Sequence, residues 1–427
     1  MRIVFIGMRG SGKSTLGEVL SRKLGWRYFE TDRIIEKEAG LKISEIVSRF
    51  GWKKFRTLES IVIRNLKNVE RAVIATGGGV VLNEENMKIL KNNSITVFLN
   101  ASVPVLIKRC QSGENRPFLN DVTSMEEDLT KTLSKRQNLY EKYADLTIVN
   151  ENKSVLQTMN EFLRSKICCI IGHPVAHSLS PAMHNASYRK LGLSYLYLSF
   201  DTTDLESTVT SIRDLKIKGI AVTVPHKIKV MAFLDKVDET AKTIGAVNTI
   251  IRSNGNLVGT NTDWSGAIDA LKEETSLRGK KVALIGAGGA ARAIAYGLYK
   301  EGAIVSVFNR NLDHARSLSE DLKLDSYYPL SASARIKNFD IVINATSVGM
   351  DGEKSPVSKD AFSPKQIVFD IVYSPRMTTF LKMAKESGCS IITGDRMLIH
   401  CVRQQFELFT GQKAPIDVLE KIIKFKD

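Results

Sequence analysis

Residues Gly7 to Thr15 follow the spacing Gly-x-x-x-x-Gly-Lys-Ser/Thr, with Gly7, Gly12, Lys13 and Ser14 in the fixed places. This pattern cradles a polyphosphate. The backbone N–H groups from Gly10, Ser11 and Gly12 to Thr15 can turn inward on an anion, and the positive end of a following helix adds to their field. Lys13 would reach the β and γ phosphates of ATP, and Ser14 would hold the accompanying magnesium. A second turn of the same physical kind, Gly286-Ala287-Gly288-Gly289-Ala290-Ala291, has the Gly-x-Gly-x-x-Ala form suited to a dinucleotide. Between the two, Lys227 stands just beyond an apolar run, Gly219 to Val222. Such a lysine is ordinarily a solvated charge. A carboxylate meeting it would change that, and the segments Ala246–Thr249 and Gly259–Asp263 supply the candidates.

The flanking elements suit these roles. Arg2 to Ile6 is a short apolar run of strand type and Leu16 to Leu24 has helical spacing, so strand, loop and helix come in the required order. Trp26 to Phe29 predicts a second strand, followed by Glu30 and Asp32. Carboxylates there could serve magnesium, through water in the case of Asp32, and a substrate hydroxyl, or could simply cap a helix. Arg56 and Glu59, three apart, have the spacing of a helical ion pair. Ala72 to Thr76 reads as a buried strand ending in Gly77-Gly78-Gly79, where glycines permit a turn or a close ligand approach. The polar stretch Ser112–Asp121 carries Arg116 and suits a lid over a transferring phosphoryl group. Lys135 to Tyr140 is helical, and Ser154 to Ser165 predicts a closing helix.

A new strand-like run begins directly at Lys166, without a flexible linker. His173 and His177 are four apart, but Pro174 disrupts the helix that a metal pair would need. Ser178 and Ser180 suit a substrate carboxylate or a helix cap. After the Gly286 turn, Ala303 to Phe308 predicts the next strand, ending in Asn309-Arg310. An NAD site would place an acid there, whereas arginine suits the 2′-phosphate of NADP. The βα alternation continues through Asp340–Thr346 and Ile367–Ile371, and Asp395 to Lys424 predicts helix returning to the first lobe.

The 427 residues predict two or three domains, and the 43% hydrophobic and 25% charged content is that of a globular protein. No apolar run approaches a membrane span, and no signal-peptide pattern precedes Gly7, which predicts a cytoplasmic protein without a membrane partner. The five cysteines form no C-x-x-C pair. The net charge of +15 is spread out. Without a dense basic block interleaved with aromatics, it points to anionic small molecules rather than nucleic acid.

In order along the first segment come the phosphate loop, Glu30-Thr31-Asp32, Phe55-Arg56 with Glu59, Gly77-Gly78-Gly79, Arg116 to Leu119, and Arg136 before Leu139-Tyr140. That ordered set resembles shikimate kinase across essentially all of residues 1–165. The resemblance implies that Asp32, Arg56, Gly78 and Arg136 hold shikimate, with Asp32 orienting or deprotonating its hydroxyl, and that Arg116 stabilises charge on the γ-phosphoryl of ATP. Two departures are Glu30, where the family has aspartate, and Asn138, where it has proline.

Residues 166–427 resemble shikimate dehydrogenase. The matching stretches are His177–Pro181, Val222–Lys227, Gly245–Thr249, Asn261–Asp263, Gly286–Arg292, Asn344–Gly349, Asp370–Tyr373, and Gly394 with Met397-Leu398. The resemblance implies a metal-free, NADPH-dependent reduction of 3-dehydroshikimate, with Lys227 and Asp263 as the acid–base pair. Ser178, Ser180, Thr223, Asn248 and Tyr373 would hold substrate. Gly286 to Ala290, Asn309, Arg310, Ile371 and Gly394 would hold NADP(H). Here too there are departures. Cys401 aligns with a glutamine that contacts substrate hydroxyls, Ala221 with an asparagine, and His314 with a basic residue near the 2′-phosphate.

The expected fold is α/β: a P-loop kinase-type parallel sheet, then a two-lobed α/β unit with a Rossmann dinucleotide-binding lobe. The expected substrate lobe is 166–274 plus about 395–427 and the NADP lobe about 275–394. The two resemblances together imply a bifunctional enzyme, monomeric or homodimeric, whose shikimate product on one half is the substrate of the other.

Overall fold

The structure, a computed structural model, describes residues 1–111, 118–120 and 122–424. The chain forms two compact units, Met1–Lys166 with Leu198–Ile217, and Ile167–Tyr197 with Lys218–Asp427. The α/β architecture read from the sequence is the one that forms. The first unit holds β1 (Arg2–Ile6), β2 (Arg27–Glu30), β3 (Ala72–Ala75), β4 (Ser94–Asn100) and β5 (Leu146–Val149). They form one parallel sheet in the order β2-β3-β1-β4-β5. β1 and β3 are buried along their whole length; β3 reads as an unbroken apolar run, and β1 as one that follows the buried Arg2. Helices Lys13–Leu24, Ile43–Asn65 and Met125–Tyr143 flank the sheet.

Two further sheets follow along the chain. One contains β6 (Lys166–Gly172), β7 (Tyr195–Asp201), β8 (Gly219–Val222), β9 (Lys236–Val237), β10 (Thr249–Ser253) and β11 (Asn256–Thr260). Their order is β7-β6-β8-β10-β11-β9, with mixed directions. The other contains β12 (Lys281–Ile285), β13 (Ile304–Asn309), β14 (Ser326–Pro329), β15 (Ile341–Asn344), β16 (Ile367–Asp370) and β17 (Ser390–Ile392). It is wholly parallel, in the doubly wound order β14-β13-β12-β15-β16-β17. The sequence predicts helix from Asp395 to Lys424. Two helices form, Gly394–Thr410 and Ile416–Lys424, and Gly411 in a left-handed conformation ends the first. Ile399, Phe406, Leu419 and Ile423 from these helices share a core with Cys168, Ile170, Met183 and Tyr188 of the mixed-sheet lobe.

Candidate active sites

In the first unit, β1 delivers the chain to a loop whose Gly7, Gly10 and Gly12 have φ of 142°, 75° and 97°. Only glycine takes these conformations without strain. They aim the loop at the N-terminus of helix Lys13–Leu24. Lys13 Nζ donates to the carbonyls of Gly7 (2.9 Å) and Met8 (2.7 Å), folded back over the loop. Ser14 Oγ donates to Glu30 Oε1 at 2.6 Å, so Glu30 is a carboxylate in direct contact with the phosphate loop. Glu30 also pairs with Arg33 at 2.9 Å.

Asp32 opens helix Thr31–Ala39 at the end of β2 and is buried. It points at the glycine triplet. A Cβ at Gly77 would stand 2.7 Å from Asp32 Oδ1 and 2.9 Å from Glu59 Oε1. A Cβ at Gly79 would stand 1.9 Å from Arg56 Nη2. The triplet is therefore the floor on which two carboxylates and a guanidinium converge. Arg56 donates to Glu59 Oε2 at 2.6 Å. Glu59 is fully buried, so the pair is not the simple surface contact that its spacing allowed. Burial raises the Glu59 carboxyl above its usual range, and Arg56 works against that rise. Arg136 donates to the Gly78 carbonyl at 3.1 Å, and Tyr140 donates to the same oxygen. Arg9, Asp32, Arg56, Gly77–Gly79, Leu119 and Arg136 line one pocket. Arg116 lies outside the described residues.

In the second unit, β8 and its turn project Lys227, whose Nζ lies 2.5 Å from Asp263 Oδ2. Asp263 begins helix Asp263–Lys272, where the helix dipole favours its charge. Asn248 Nδ2 donates to Asp263 Oδ1 at 2.8 Å, and the Asp263 N–H donates to Asn261 Oδ1 at 2.9 Å. Asn248 Oδ1 accepts from the Thr262 N–H (2.7 Å) and Thr249 Oγ1 (2.8 Å). Gln405 Nε2 closes the network on Thr249 Oγ1 at 3.0 Å.

Cys401 lies in the same cluster, its Sγ 3.5 Å from the Thr262 carbonyl and 3.8 Å from Asp263 Oδ1. Burial and the Asp263 charge push its thiol well above the usual range. A Cβ at Gly266 would meet that sulfur at 2.4 Å. Cys401 therefore fills its place as a packing group. Gln405, one helical turn on, is the amide that reaches the polar network. Reasoning from the sequence misses it, and its i+4 spacing from Cys401 is the one signal that points there.

Ser178 Oγ accepts from the Ser180 N–H at 3.3 Å, and helix Ser180–Lys190 starts after Leu179 without a side-chain cap. Burial raises the Tyr373 phenol, with the Ser178 side chain opposing the rise. The turn that carries Ile371 to Tyr373 is pinned by Asp370, which accepts from Thr378 Oγ1 (2.6 Å), Asn344 Nδ2 (3.0 Å) and the Val372 N–H (3.0 Å). Burial pushes the Asp370 carboxyl up to about 6 against those three bonds. Thr223 follows β8 directly, its N–H on the Ile171 carbonyl at 2.9 Å.

The dinucleotide turn joins β12 to helix Gly289–Lys300, with Gly286 at φ 116°. A Cβ at Gly288 would meet nothing within 4 Å, so the backbone offers an open face there. Gly289 abuts the catalytic candidate, since its Cβ would stand 3.1 Å from Lys227 Cβ. A Cβ at Gly394 would lie 2.6 Å from the carbonyls of both Ile371 and Val372. Those three residues are therefore in close backbone contact. Arg310 and Asn311 are exposed beyond β13, and Asn309 Nδ2 donates to the Asn311 carbonyl at 2.9 Å. His314 lies in the first turn of helix Leu312–Leu322.

Fold and sites thus define two enzyme classes on one chain, a P-loop phosphotransferase and a dinucleotide-dependent oxidoreductase. Residues 9–166 match the family model for shikimate kinase. Residues 170–250 match that for the shikimate dehydrogenase substrate binding domain, and 269–375 that for shikimate / quinate 5-dehydrogenase. A shikimate dehydrogenase (NADP(+)) of Methanococcus maripaludis is 41% identical over 274 residues, which cover 62% of this chain and 98% of that protein. One from Pyrococcus furiosus is 40% identical over 265 residues, covering 60% and 95%. Among solved structures, the Thermus thermophilus shikimate 5-dehydrogenase in complex with NADP(H) and shikimate superposes with TM-score 0.57 at 37% identity, covering 61% of this chain and 99% of that one. The chain belongs to the shikimate dehydrogenase family and carries a shikimate kinase domain ahead of it. No helix among the described residues is long and apolar enough to cross a membrane.

Proposed function

We propose that the protein catalyses two consecutive steps toward aromatic amino acids. The second unit reduces 3-dehydroshikimate to shikimate with NADPH, and the first phosphorylates shikimate to shikimate 3-phosphate with ATP. The observation that carries the reduction is the Lys227–Asp263 pair at 2.5 Å, packed beneath the dinucleotide turn at Gly289. The residues fit NADP(H): Gly288 is open to a pyrophosphate and exposed Arg310 suits a 2′-phosphate. NADPH, when bound, supplies the hydride. Lys227 would stabilise the oxygen on which negative charge develops and give it a proton. Asp263 holds the ammonium in place, and Asn248 and Asn261 fix Asp263. Ser178 and Tyr373 would anchor the substrate carboxylate.

In the first unit the glycine conformations fit a polyphosphate, and Ser14 with Glu30 offers an oxygen pair of the kind magnesium prefers. Mg-ATP, when bound, supplies the phosphoryl group. Arg136 and Arg56 suit the shikimate carboxylate, since guanidinium pairs it in bidentate fashion. Asp32 would orient the attacking hydroxyl, and Lys13 would leave the Gly7 and Met8 carbonyls for the phosphates.

The test uses the full-length protein with 3-dehydroshikimate, NADPH, ATP and magnesium, following NADPH oxidation and phosphate-ester formation separately. Lys227→Ala should abolish the first and spare phosphorylation of added shikimate, and Lys13→Ala should do the reverse. Reduction that survives Lys227→Ala would overturn the dehydrogenase assignment. Phosphorylation that survives Lys13→Ala would overturn the kinase assignment.

A further inference from the structure

Asp128 has no exposed surface, yet it sits on helix Met125–Tyr143 in a mostly polar stretch. Its carboxylate is saturated. Oδ1 accepts from the N–H groups of Leu119 and Asn120 and from Asn120 Nδ2, each at 2.9 Å. Oδ2 accepts from Arg9 Nη2 at 2.5 Å. Arg9 occupies one of the positions that the phosphate-loop spacing leaves open. Its own backbone N lies 3.3 Å from where a Cβ of Gly78 would stand, and Gly78 is the residue whose carbonyl holds Arg136 and Tyr140. Arg9 and Leu119 both line the pocket that contains Asp32, Arg56 and Arg136. One buried anion therefore ties two walls of that pocket together, the phosphate loop on one side and the Leu119–Asn120 backbone on the other. A charge this buried, bonded to one cation and three neutral donors, holds its partners far more rigidly than a surface pair does.

We infer that Asp128 is a positioning residue for the acceptor side of the kinase reaction. Acting through Arg9 and Leu119, it sets the shape and charge of the shikimate pocket. The pair also decides how much positive charge that pocket presents. With Asp128 in place, Arg9 is neutralised and Arg56 is paired with Glu59. That leaves the Arg136 guanidinium, bonded to a carbonyl, as the pocket cation without a carboxylate in contact among the described residues.

The inference rests on the kinase reading above, and the experiment separates the two. Wild type, Asp128→Asn, Arg9→Gln and the double variant are assayed as full-length protein for shikimate phosphorylation, with ATP affinity measured on a fluorescent ATP analogue. Asp128→Asn and Arg9→Gln should each raise KM for shikimate about tenfold while ATP-analogue affinity stays within about twofold. The double variant should be no worse than the poorer single, because both remove one interaction. The inference is overturned if Arg9→Gln, which leaves the carboxylate and its backbone bonds intact, keeps shikimate KM within about twofold of wild type. It is also overturned if Asp128→Asn lowers kcat and ATP affinity in parallel, the mark of a merely structural group. Absence of shikimate phosphorylation by wild type would sink the kinase reading itself.

Discussion

His184 should make the second unit lose stability as the pH falls below 6.5. The ring lies on helix Ser180–Lys190 with no exposed surface, stacked on Tyr197 with centroids 4.2 Å apart and planes 5° apart. Phe406 and Phe409 pack at 6.0 and 5.8 Å. Burial lowers its pKa from 6.5 to about 3, with the Gln405 side chain opposing. The folded value lies below the unfolded one. The contribution to stability is therefore complete above pH 6.5 and is lost as the pH falls from there toward about 3. At pH of about 5 the unfolded chain binds nearly a whole proton at this site and the folded chain almost none, which costs about 2 kcal/mol relative to pH of about 7.5.

For a unit of this size that corresponds to roughly 4–8 °C in Tm. His184→Phe keeps an aromatic ring in an aromatic nest and removes the proton. The assay is thermal unfolding of full-length protein at the two pH values, following the transition that NADP⁺ shifts upward, since ligand binding marks the unit that binds it. The drop in Tm on acidification should be smaller in His184→Phe by about that 4–8 °C. Parallel drops in wild type and variant would refute the reasoning.

Three further outcomes are expected. Gly394→Ala forces a methyl to within 2.6 Å of two carbonyl oxygens, so the Ile371–Val372 turn must retreat. Isothermal titration should show NADP⁺ binding weakened about tenfold or more, with a destabilisation of roughly 1–3 kcal/mol in urea unfolding. Gly79→Ala drives a methyl into the Arg56 guanidinium and should raise shikimate KM in the kinase assay about tenfold with little change in ATP affinity. Arg310→Ala should raise KM for NADP⁺ about tenfold and leave any turnover with NAD⁺ within about twofold, because NAD⁺ has no 2′-phosphate for the arginine to meet.

The sites that were legible in the sequence are those whose chemistry is local in the chain. Gly7 to Thr15 and Gly286 to Arg292 each pack strand, turn and helix start into a dozen residues, so spacing alone reports the geometry. The buried strands were legible for the same reason: parallel strands covered on both faces are unbroken apolar runs. The meeting of Lys227 with Asp263, 36 residues apart, was anticipated through the family resemblance, whereas the residues alone offered only candidate carboxylates. Asp128 gave no sign at all, since a carboxylate in a polar helix looks like any solvated one until the Arg9 and Leu119 donors are seen around it. Gly394 likewise read as part of a family pattern, and the carbonyls that require glycine there lie more than twenty residues earlier in the chain.

What the sequence by itself determined, then, is the order of elements, the α/β class, the two phosphate-binding turns and the chemical types available to each site. Backbone conformation over a few residues decides these, and residue type governs that conformation directly. Only the tertiary structure decided which charges are paired, which are buried and which backbone must approach which. It set Glu30 on Ser14, Glu59 beneath the glycine triplet, Cys401 among packing groups and Gln405 in the polar network. Those outcomes depend on burial and on distances between segments remote in the chain, and the energy of a charge or an amide changes severalfold with both.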